Sequence, residues 1–206
     1  MNKNIKKAFG KGKAFIPFIT CGDPSLEVTE RIVYAMEEAG ADLIELGIPF
    51  SDPTAEGPVI QAANVRALSG GVTTDKIFDM VRRIRQKTSI PMVFMTYANV
   101  VYSYGTERFA KAAAEIGMDG LILPDVPFEE KEEFAIPFKE HGLDFISLIA
   151  PTSHERIAMI AKEAEGFGIS EPKQAKKMAA QSDGVIVGSA IVKLCEKYGA
   201  DCVPHI

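Results

Sequence analysis

The chain has 206 residues, of which 47% are hydrophobic and 25% are charged, and this composition is that of a single globular domain over residues 1–206. Its formal net charge of −5 is spread along the chain, which argues against nucleic acid or an anionic membrane surface as a partner. The longest apolar runs are of strand length, far below the roughly 18 residues of a membrane span, and no signal-type segment follows the basic start, so we expect a cytoplasmic protein. Three cysteines without CxxC spacing and three scattered histidines argue against disulfides and a metal site.

Apolar runs of strand length recur along the chain. They are continuous rather than alternating, which is typical of parallel strands that are buried on both faces. The predicted strands are residues 15–20, 43–48, 91–97, 120–123, 145–150 and 184–187. Segments of helical period lie between them or follow them, at residues 26–39, 76–87, 107–116, 129–141, 155–165 and 172–181.

This alternation of strand and helix predicts an α/β fold, either a doubly wound sheet or a closed (β/α) barrel. The first strand runs into TCGDPSLE (20–27) instead of the GxGxxG that a dinucleotide-binding sheet would carry, which favours the barrel. In such barrels the segments after the strands form the catalytic face. The candidates for that face are residues 21–24, 49–58, 97–105 and 124–130.

Two glutamates near the second strand are candidate catalytic residues. Glu45 lies inside an apolar run, where a charge is costly unless it is paired or protonated, so we expect it to point into the barrel mouth. It is either a general acid/base with a raised pKa or a buried glutamate satisfied by a lysine or a backbone amide. Glu56 stands in a loop that Pro53 and Pro58 keep from forming a helix, and taken alone it would be a solvated loop charge.

Four strings in this part of the chain carry a family resemblance. FIPFITCGDP, ELGIPFSDP, AEGPVIQ and YANVVYSYG, in this order, closely resemble the tryptophan synthase alpha subunit, a (β/α)8 barrel that cleaves indole-3-glycerol phosphate. LPDVPFEE, GFGIS and GVIVGSAIVK extend the resemblance over almost the whole chain. The resemblance implies a TIM barrel and a lyase of tryptophan biosynthesis.

The resemblance also implies separate roles for the two glutamates. Glu45 matches the general acid/base of the retro-aldol cleavage, and Glu56 matches an acidic residue that hydrogen-bonds the indole nitrogen. Protonation of indole C3 and removal of the side-chain hydroxyl proton suit an acid/base of intermediate pKa. The positive charge that develops on the ring nitrogen needs an anion at hydrogen-bond distance. The loop acid is more commonly an aspartate in the family, so Glu56 is a departure.

Substrate contacts are implied at five further positions. Phe18 and Tyr97 match aromatic positions that line the indole pocket, although either ring could instead belong to the core. Gly168, Gly188 and Ser189 match phosphate-binding turns at helix starts, whose backbone amides can hold a dianion. Glycine turns of this kind are, by themselves, equally typical of helix punctuation.

A partner is implied at the same face. Asp52 and Pro53, with the YANVVYSYG loop, match segments that face the beta subunit, which carries pyridoxal phosphate and forms an alpha2beta2 complex. No cofactor is expected on this chain. We interpret Asp23 and Asp125, which also follow strands, as turn or helix-cap residues.

The number of strands departs from the family. Six predicted strands replace eight, and 206 residues fall roughly 45 short of a typical ~250-residue barrel. A strand, its loop and helix, and the next strand are expected to be missing near residues 166–168, and the C-terminus is short. The leading interpretation is an enzyme, the alternative is a catalytically defective chain that at most binds the beta subunit, and a more distant one is another phosphate-binding barrel.

Overall fold

The fold is a curled sheet of parallel strands with helices packed on its outer face. The computed structural model describes residues 2–10, 12–149, 164–166 and 183–206. Seven parallel strands pair in the order β6-β5-β4-β3-β2-β1-β7. They are β1 (Ala14–Thr20), β2 (Ile44–Gly47), β3 (Met92–Met95), β4 (Gly120–Ile122), β5 (Asp144–Ile149), β6 (Ala164–Gly166) and β7 (Gly184–Val187).

The six predicted strands are all present, which confirms the barrel-type sheet, and the described residues contain seven strands rather than about six. Each begins and ends within two residues of the predicted bounds. β6 was not predicted, because its first two residues were taken as the end of a helix at 155–165. The rest of that helix, and the helix predicted at 172–181, lie outside the described residues. In the part of the chain that is described, β6 and β7 stand at opposite ends of the sheet.

Eight helices are described, four of which match predicted ones in position. They are α1 (Lys3–Ala8), α2 (Leu26–Glu38), α3 (Pro58–Ser69), α4 (Thr74–Arg85), α5 (Ala98–Tyr104), α6 (Thr106–Glu115), α7 (Glu132–Glu140) and α8 (Ser189–Tyr198). Short 3-10 turns are formed by Phe128–Glu130, Gly199–Asp201 and Val203–His205.

Helix α5 occupies a segment that was interpreted as a loop, and α3 begins at the last residue of another. The loop that carries Glu56 is not helical, as expected, and Pro58 ends it by starting α3, where its missing N–H costs nothing and its fixed φ suits a helix. α5 is a short helix of seven residues, bounded by Gly105 with φ of 91°. That glycine allows the chain to turn directly into α6.

Two layers of apolar side chains hold the fold together. The outer layer packs the helices on the sheet and includes stacked and edge-to-face contacts among Phe78, Phe94 and Phe109, with ring centroids 5.2–6.1 Å apart. The inner layer joins side chains from neighbouring strands, such as Ile16 and Val93, on the concave face. The candidate catalytic residue Glu45 lies beside this inner layer, next to Phe18 and Val93.

Helix α1 lies at the amino-terminal end of the strands. The Asn2 backbone N–H donates to Asp144 Oδ2 at 2.5 Å, and Asn4 Nδ2 donates to Asp119 Oδ1 at 2.8 Å. Asp119 is 2% exposed and also accepts from the Arg85 guanidinium at 3.0 Å. These contacts join the start of the chain to the beginning of β4 and β5.

Candidate active site

Glu45 is the second residue of β2 and lies on the concave face of the sheet. Its Cα pairs with those of Phe18 on β1 and Val93 on β3, and both of these belong to the inner apolar layer. The residue is 2% exposed, so its carboxyl group is buried among apolar neighbours. The sheet register therefore places Glu45 on the same face as the inner apolar layer, and its predicted position in the barrel mouth stays a prediction.

Phe18 lies between the end of β2 and the start of α8. A Cβ built on Gly47 would come within 2.6 Å of the Phe18 ring, and one built on Gly188 would lie 3.2 Å from it. Real Cβ atoms avoid contacts under 3.0 Å, so Gly47 is required for the ring to occupy this position. Phe18 thus belongs to the inner layer and also adjoins the turn that was assigned to phosphate.

Glu56 is half-buried and is held by the helix that follows it. Asn64 Nδ2 donates to Glu56 Oε2 at 3.0 Å, and Gln61 Nε2 donates to the Glu56 carbonyl at 2.8 Å. Burial raises the pKa of the Glu56 carboxyl group, and hydrogen bonds from Asn64 and Tyr97 act against that shift. Glu56 is therefore not the solvated loop charge that its local sequence suggested.

Tyr97 follows β3 and is 2% exposed. Its hydroxyl accepts a hydrogen bond from the Ala55 N–H at 3.0 Å, and its ring lies 5.2 Å from that of Phe50, centroid to centroid. Burial raises the pKa of the hydroxyl, so it remains protonated and able to donate to the Glu56 carboxylate. Tyr97 thereby connects the end of β3 to the loop that carries Glu56.

The two aspartates interpreted as turn or helix-cap residues, Asp23 and Asp125, have different contacts in the structure. Both Asp125 oxygens accept from the N–H of Ala98 at 3.1 and 3.2 Å, so Asp125 does cap α5, from a neighbouring loop. Asp23 is not a cap. Its carboxylate accepts two hydrogen bonds from Arg66 of α3, at 2.8 and 2.7 Å, and Ser25 caps α2 instead.

The proposed phosphate turn lies at the amino end of α8. Gly188 precedes the helix and Ser189 is its first residue, with no side-chain cap at this end. The carbonyl of Gly188 accepts from the N–H groups of Ile191 and Val192, so the N–H groups that precede these two lie in the first turn of the helix. Gly168 lies outside the described residues.

The residues assigned to a partner lie on the exposed rim of the same loop. Asp52 is exposed and accepts from the Ser51 hydroxyl, while Pro53 is half-buried. In the neighbouring helix α5, Tyr102 is 67% exposed.

The described residues were also compared with the requirements of a metal site, a membrane span and a reactive thiol. Within the ranges given above, no group of three or more His, Cys, Asp and Glu side chains is placed to hold a metal ion. Nor do those ranges contain a helix long and apolar enough to cross a membrane. The three cysteines are free and buried, and burial raises the pKa of the Cys195 thiol to about 12.

Sequence reasoning missed two residues that shape the site. Asn64 and Arg66, on α3, hold Glu56 and Asp23. Nothing in the pattern identified them, because no element was predicted for the segment that forms most of α3. A helix beginning at Pro58 would have placed both on its first three turns.

Comparison with known proteins places this geometry in a family. The model of the tryptophan synthase alpha chain family matches residues 5–167 and, in a second segment, residues 163–203. The tryptophan synthase alpha chain of Lacticaseibacillus casei is 42% identical over 232 residues, covering 94% of this chain and 87% of that protein.

Solved structures agree with the sequence relatives. The alpha subunit from Legionella pneumophila str. Paris has a TM-score of 0.89 at 36% identity, covering 99% of this chain and 94% of that one. A structure of the a2b2 complex from Pyrococcus furiosus gives 0.87 at 32% identity, covering 94% of each chain. With its strand order and the two segments of the family model, this chain belongs to the tryptophan synthase alpha chain family, whose proteins have the TIM-barrel fold and serve tryptophan biosynthesis.

Proposed function

We propose that the chain cleaves indole-3-glycerol phosphate into indole and glyceraldehyde 3-phosphate by a retro-aldol reaction. The observation that carries the proposal is Glu45, a carboxyl group only 2% exposed on the concave face of a sheet of this family. A buried carboxyl group on the inner face of such a sheet is a candidate acid/base, because the active sites of barrels are built at the loops that follow the strands.

Glu45 acts first as an acid and then as a base. It donates a proton to C3 of the indole ring, which turns the ring into a cation from which the C3 side chain can leave. It then accepts the proton of the side-chain hydroxyl as the carbonyl of glyceraldehyde 3-phosphate forms, so its own protonation state is restored. The same carboxyl group can serve both steps, because it is protonated before the first and ionised before the second.

Glu56 stabilises the charge on the ring. When C3 is protonated, positive charge develops on the ring nitrogen, and a carboxylate within hydrogen-bond distance of the N–H lowers the energy of that state. Burial alone would favour the neutral acid, and the hydrogen bonds from Asn64 and Tyr97 favour the carboxylate that this role needs.

The phosphate group is proposed to bind at the amino end of α8. The first N–H groups of this helix, at Gly188 and Ser189, lack intrahelical partners and suit a dianion. Phe18, which adjoins Gly188, and Tyr97 are proposed to border the indole ring. Gly168 is proposed as a further phosphate contact.

The partner is proposed to be the tryptophan synthase beta subunit, in an alpha2beta2 complex. The support is the likeness to the a2b2 complex of P. furiosus, together with Asp52 and Pro53 on the rim. Pyridoxal phosphate would belong to the beta subunit, with no cofactor on this chain.

A second candidate function is a catalytically defective chain that only binds the beta subunit. It is favoured by the two segments of the family model, which overlap at residues 163–167, as a chain that lacks an internal piece of the family would produce. Because β6 already pairs with β5, we propose that the missing piece, near 166–168, contains the loop and helix that would follow β6 and the next strand, rather than two whole strands. Such a chain would expose sheet edges, tend to self-associate and release little indole.

The deciding experiment is a steady-state assay of indole release from indole-3-glycerol phosphate, with and without the beta subunit. If the chain is active, Glu45→Gln should lower the rate by more than about 100-fold, because it removes the acid/base. Glu38→Gln, at the exposed end of α2, is the matched control and should not change it. Near-normal turnover by the Glu45 variant would remove Glu45 from the mechanism.

Activity of Glu56 variants tests the second carboxylate. Glu56→Ala should lose activity, while Glu56→Asp should keep much of it if reach is the only difference between the two acids. If wild type releases no indole in either condition but binds the beta subunit in size-exclusion chromatography, the second candidate function is supported instead.

A further inference from the structure

Among the buried side-chain nitrogen and oxygen atoms of the described residues, the Thr20 hydroxyl oxygen alone lacks a hydrogen-bond partner. Thr20 is 2% exposed. A buried hydroxyl without a partner is costly, and native proteins contain few of them. An unpaired hydroxyl in a well-packed region therefore calls for a functional explanation.

The other buried threonines do have partners. Thr29 Oγ1 donates to the Ser25 carbonyl at 2.8 Å, Thr88 Oγ1 lies 2.6 Å from Glu37 Oε1, and Thr96 Oγ1 donates to the Ile48 carbonyl at 3.2 Å. Thr96 is the closest match to Thr20, because Thr20 ends β1 and Thr96 directly follows β3, at the same end of the sheet. At this end of the sheet, a threonine hydroxyl with a structural role therefore has a hydrogen-bond partner.

Thr20 faces the proposed active site. It is the last residue of β1, and by the alternation of strand side chains it lies on the same concave face as Phe18, two residues earlier. Its Cα pairs with that of Gly47, which has no side chain to cover the hydroxyl. From the spacing and rise of parallel strands, its Cα lies about 8 Å from that of Glu45.

The neighbours of Thr20 indicate which part of a ligand would reach it. Phe18, on the same strand, adjoins Gly188 at the proposed phosphate turn, and Glu45 is on the next strand. Thr20 therefore lies on the strand that separates Glu45 from the proposed phosphate turn at Gly188. In the proposed substrate, the segment between ring and phosphate is a carbon chain that carries hydroxyl groups, each able to donate and accept a hydrogen bond.

We propose that the Thr20 hydroxyl binds a hydroxyl group of the substrate's three-carbon chain, which makes Thr20 a specificity-determining residue for hydroxylated alkyl phosphates. This inference rests on the proposed function. Its physical basis is that a site with an unpaired polar group discriminates strongly against a ligand that leaves the group unpaired.

The test separates stability from recognition. Thr20→Val replaces the hydroxyl with a methyl of similar size, so it should leave the denaturation midpoint unchanged or raise it, because no hydrogen bond is lost. Thr96→Val, the matched control, should lower the midpoint, because it leaves the Ile48 carbonyl without its donor.

Recognition is measured by chemical-shift titration with two probes, glycerol 3-phosphate and propyl phosphate, which lacks the hydroxyl groups. Wild type should bind glycerol 3-phosphate at least about tenfold more tightly than propyl phosphate. Thr20→Val should lose most of that preference with little change for propyl phosphate, and Thr20→Ser should keep it.

The outcomes distinguish the inference from the proposal on which it rests. If neither phosphate binds wild type, the proposed phosphate site is wrong, and the inference falls with it. If both bind and Thr20→Val keeps the full preference, the inference alone is overturned. A clear drop in the denaturation midpoint of Thr20→Val would also overturn it, since the hydroxyl would then have a structural partner.

Discussion

The ion pair between Asp23 and Arg66 should respond very differently to the loss of either member. The side chain of Asp23 is 2% exposed and that of Arg66 is 32% exposed. In Arg66→Met the aliphatic stem is kept, but the Asp23 carboxylate loses both donors and remains buried. Removing one partner of a buried pair costs about 3–5 kcal/mol.

In Asp23→Asn the guanidinium keeps access to water and lies 3.5 Å from Glu196. The cost should then be about 1–2 kcal/mol, near the lower end for a hydrogen bond to a charged group. The free energy of unfolding, measured by urea denaturation, should therefore fall further in Arg66→Met, by about 2 kcal/mol. The double variant should be more stable than Arg66→Met, because it no longer buries an unpaired charge. Equal losses in the two single variants would refute the reasoning.

Three further predictions concern the site. Glu56 has a folded-state pKa above its ordinary 4.5, so wild-type stability should fall as the pH rises from that value through the raised pKa. Glu56→Gln should lack this fall when unfolding is followed at several pH values. Asp125→Ala should lower the free energy of unfolding by about 1 kcal/mol, because the N–H of Ala98 loses its acceptor, and Asp125→Asn should restore part of it. Gly188→Asp should weaken binding of glycerol 3-phosphate in calorimetry far more than Gly188→Ala, which adds volume without charge; equal effects would place the phosphate elsewhere.

The sheet could be predicted because its strands have a simple signal. Residues buried on both faces of a parallel sheet are apolar without interruption, and the run at 43–48 contains one exception, Glu45. That exception was itself informative, because an ionisable residue inside such a run has few structural reasons to be there. The pattern could not reveal β6, since a three-residue strand is too short to show a period.

The loop after β2 could be only partly predicted. Pro58 has opposite meanings inside a helix and at its first position, and the local sequence does not decide between them. Without α3, the contacts of Glu56 with Asn64 and of Asp23 with Arg66 could not be foreseen, because they join residues that are 8 and 43 positions apart. The unpaired hydroxyl of Thr20 is equally invisible in sequence, since it depends on what surrounds the side chain.

The docking of α1 has a consequence for the order in which the chain can mature during synthesis. Asn2 donates to Asp144, 142 positions later, so the first helix cannot take its final place until β5 has been made. At roughly 5–20 residues per second, a ribosome needs about 7–28 s to cover that distance. Through that interval β5 does not yet exist, so the side of α1 that is buried in the folded chain, which includes Ile5, cannot pack in its native place. The first helix to be synthesised is thus among the last to dock, and a chaperone could bind it during that interval.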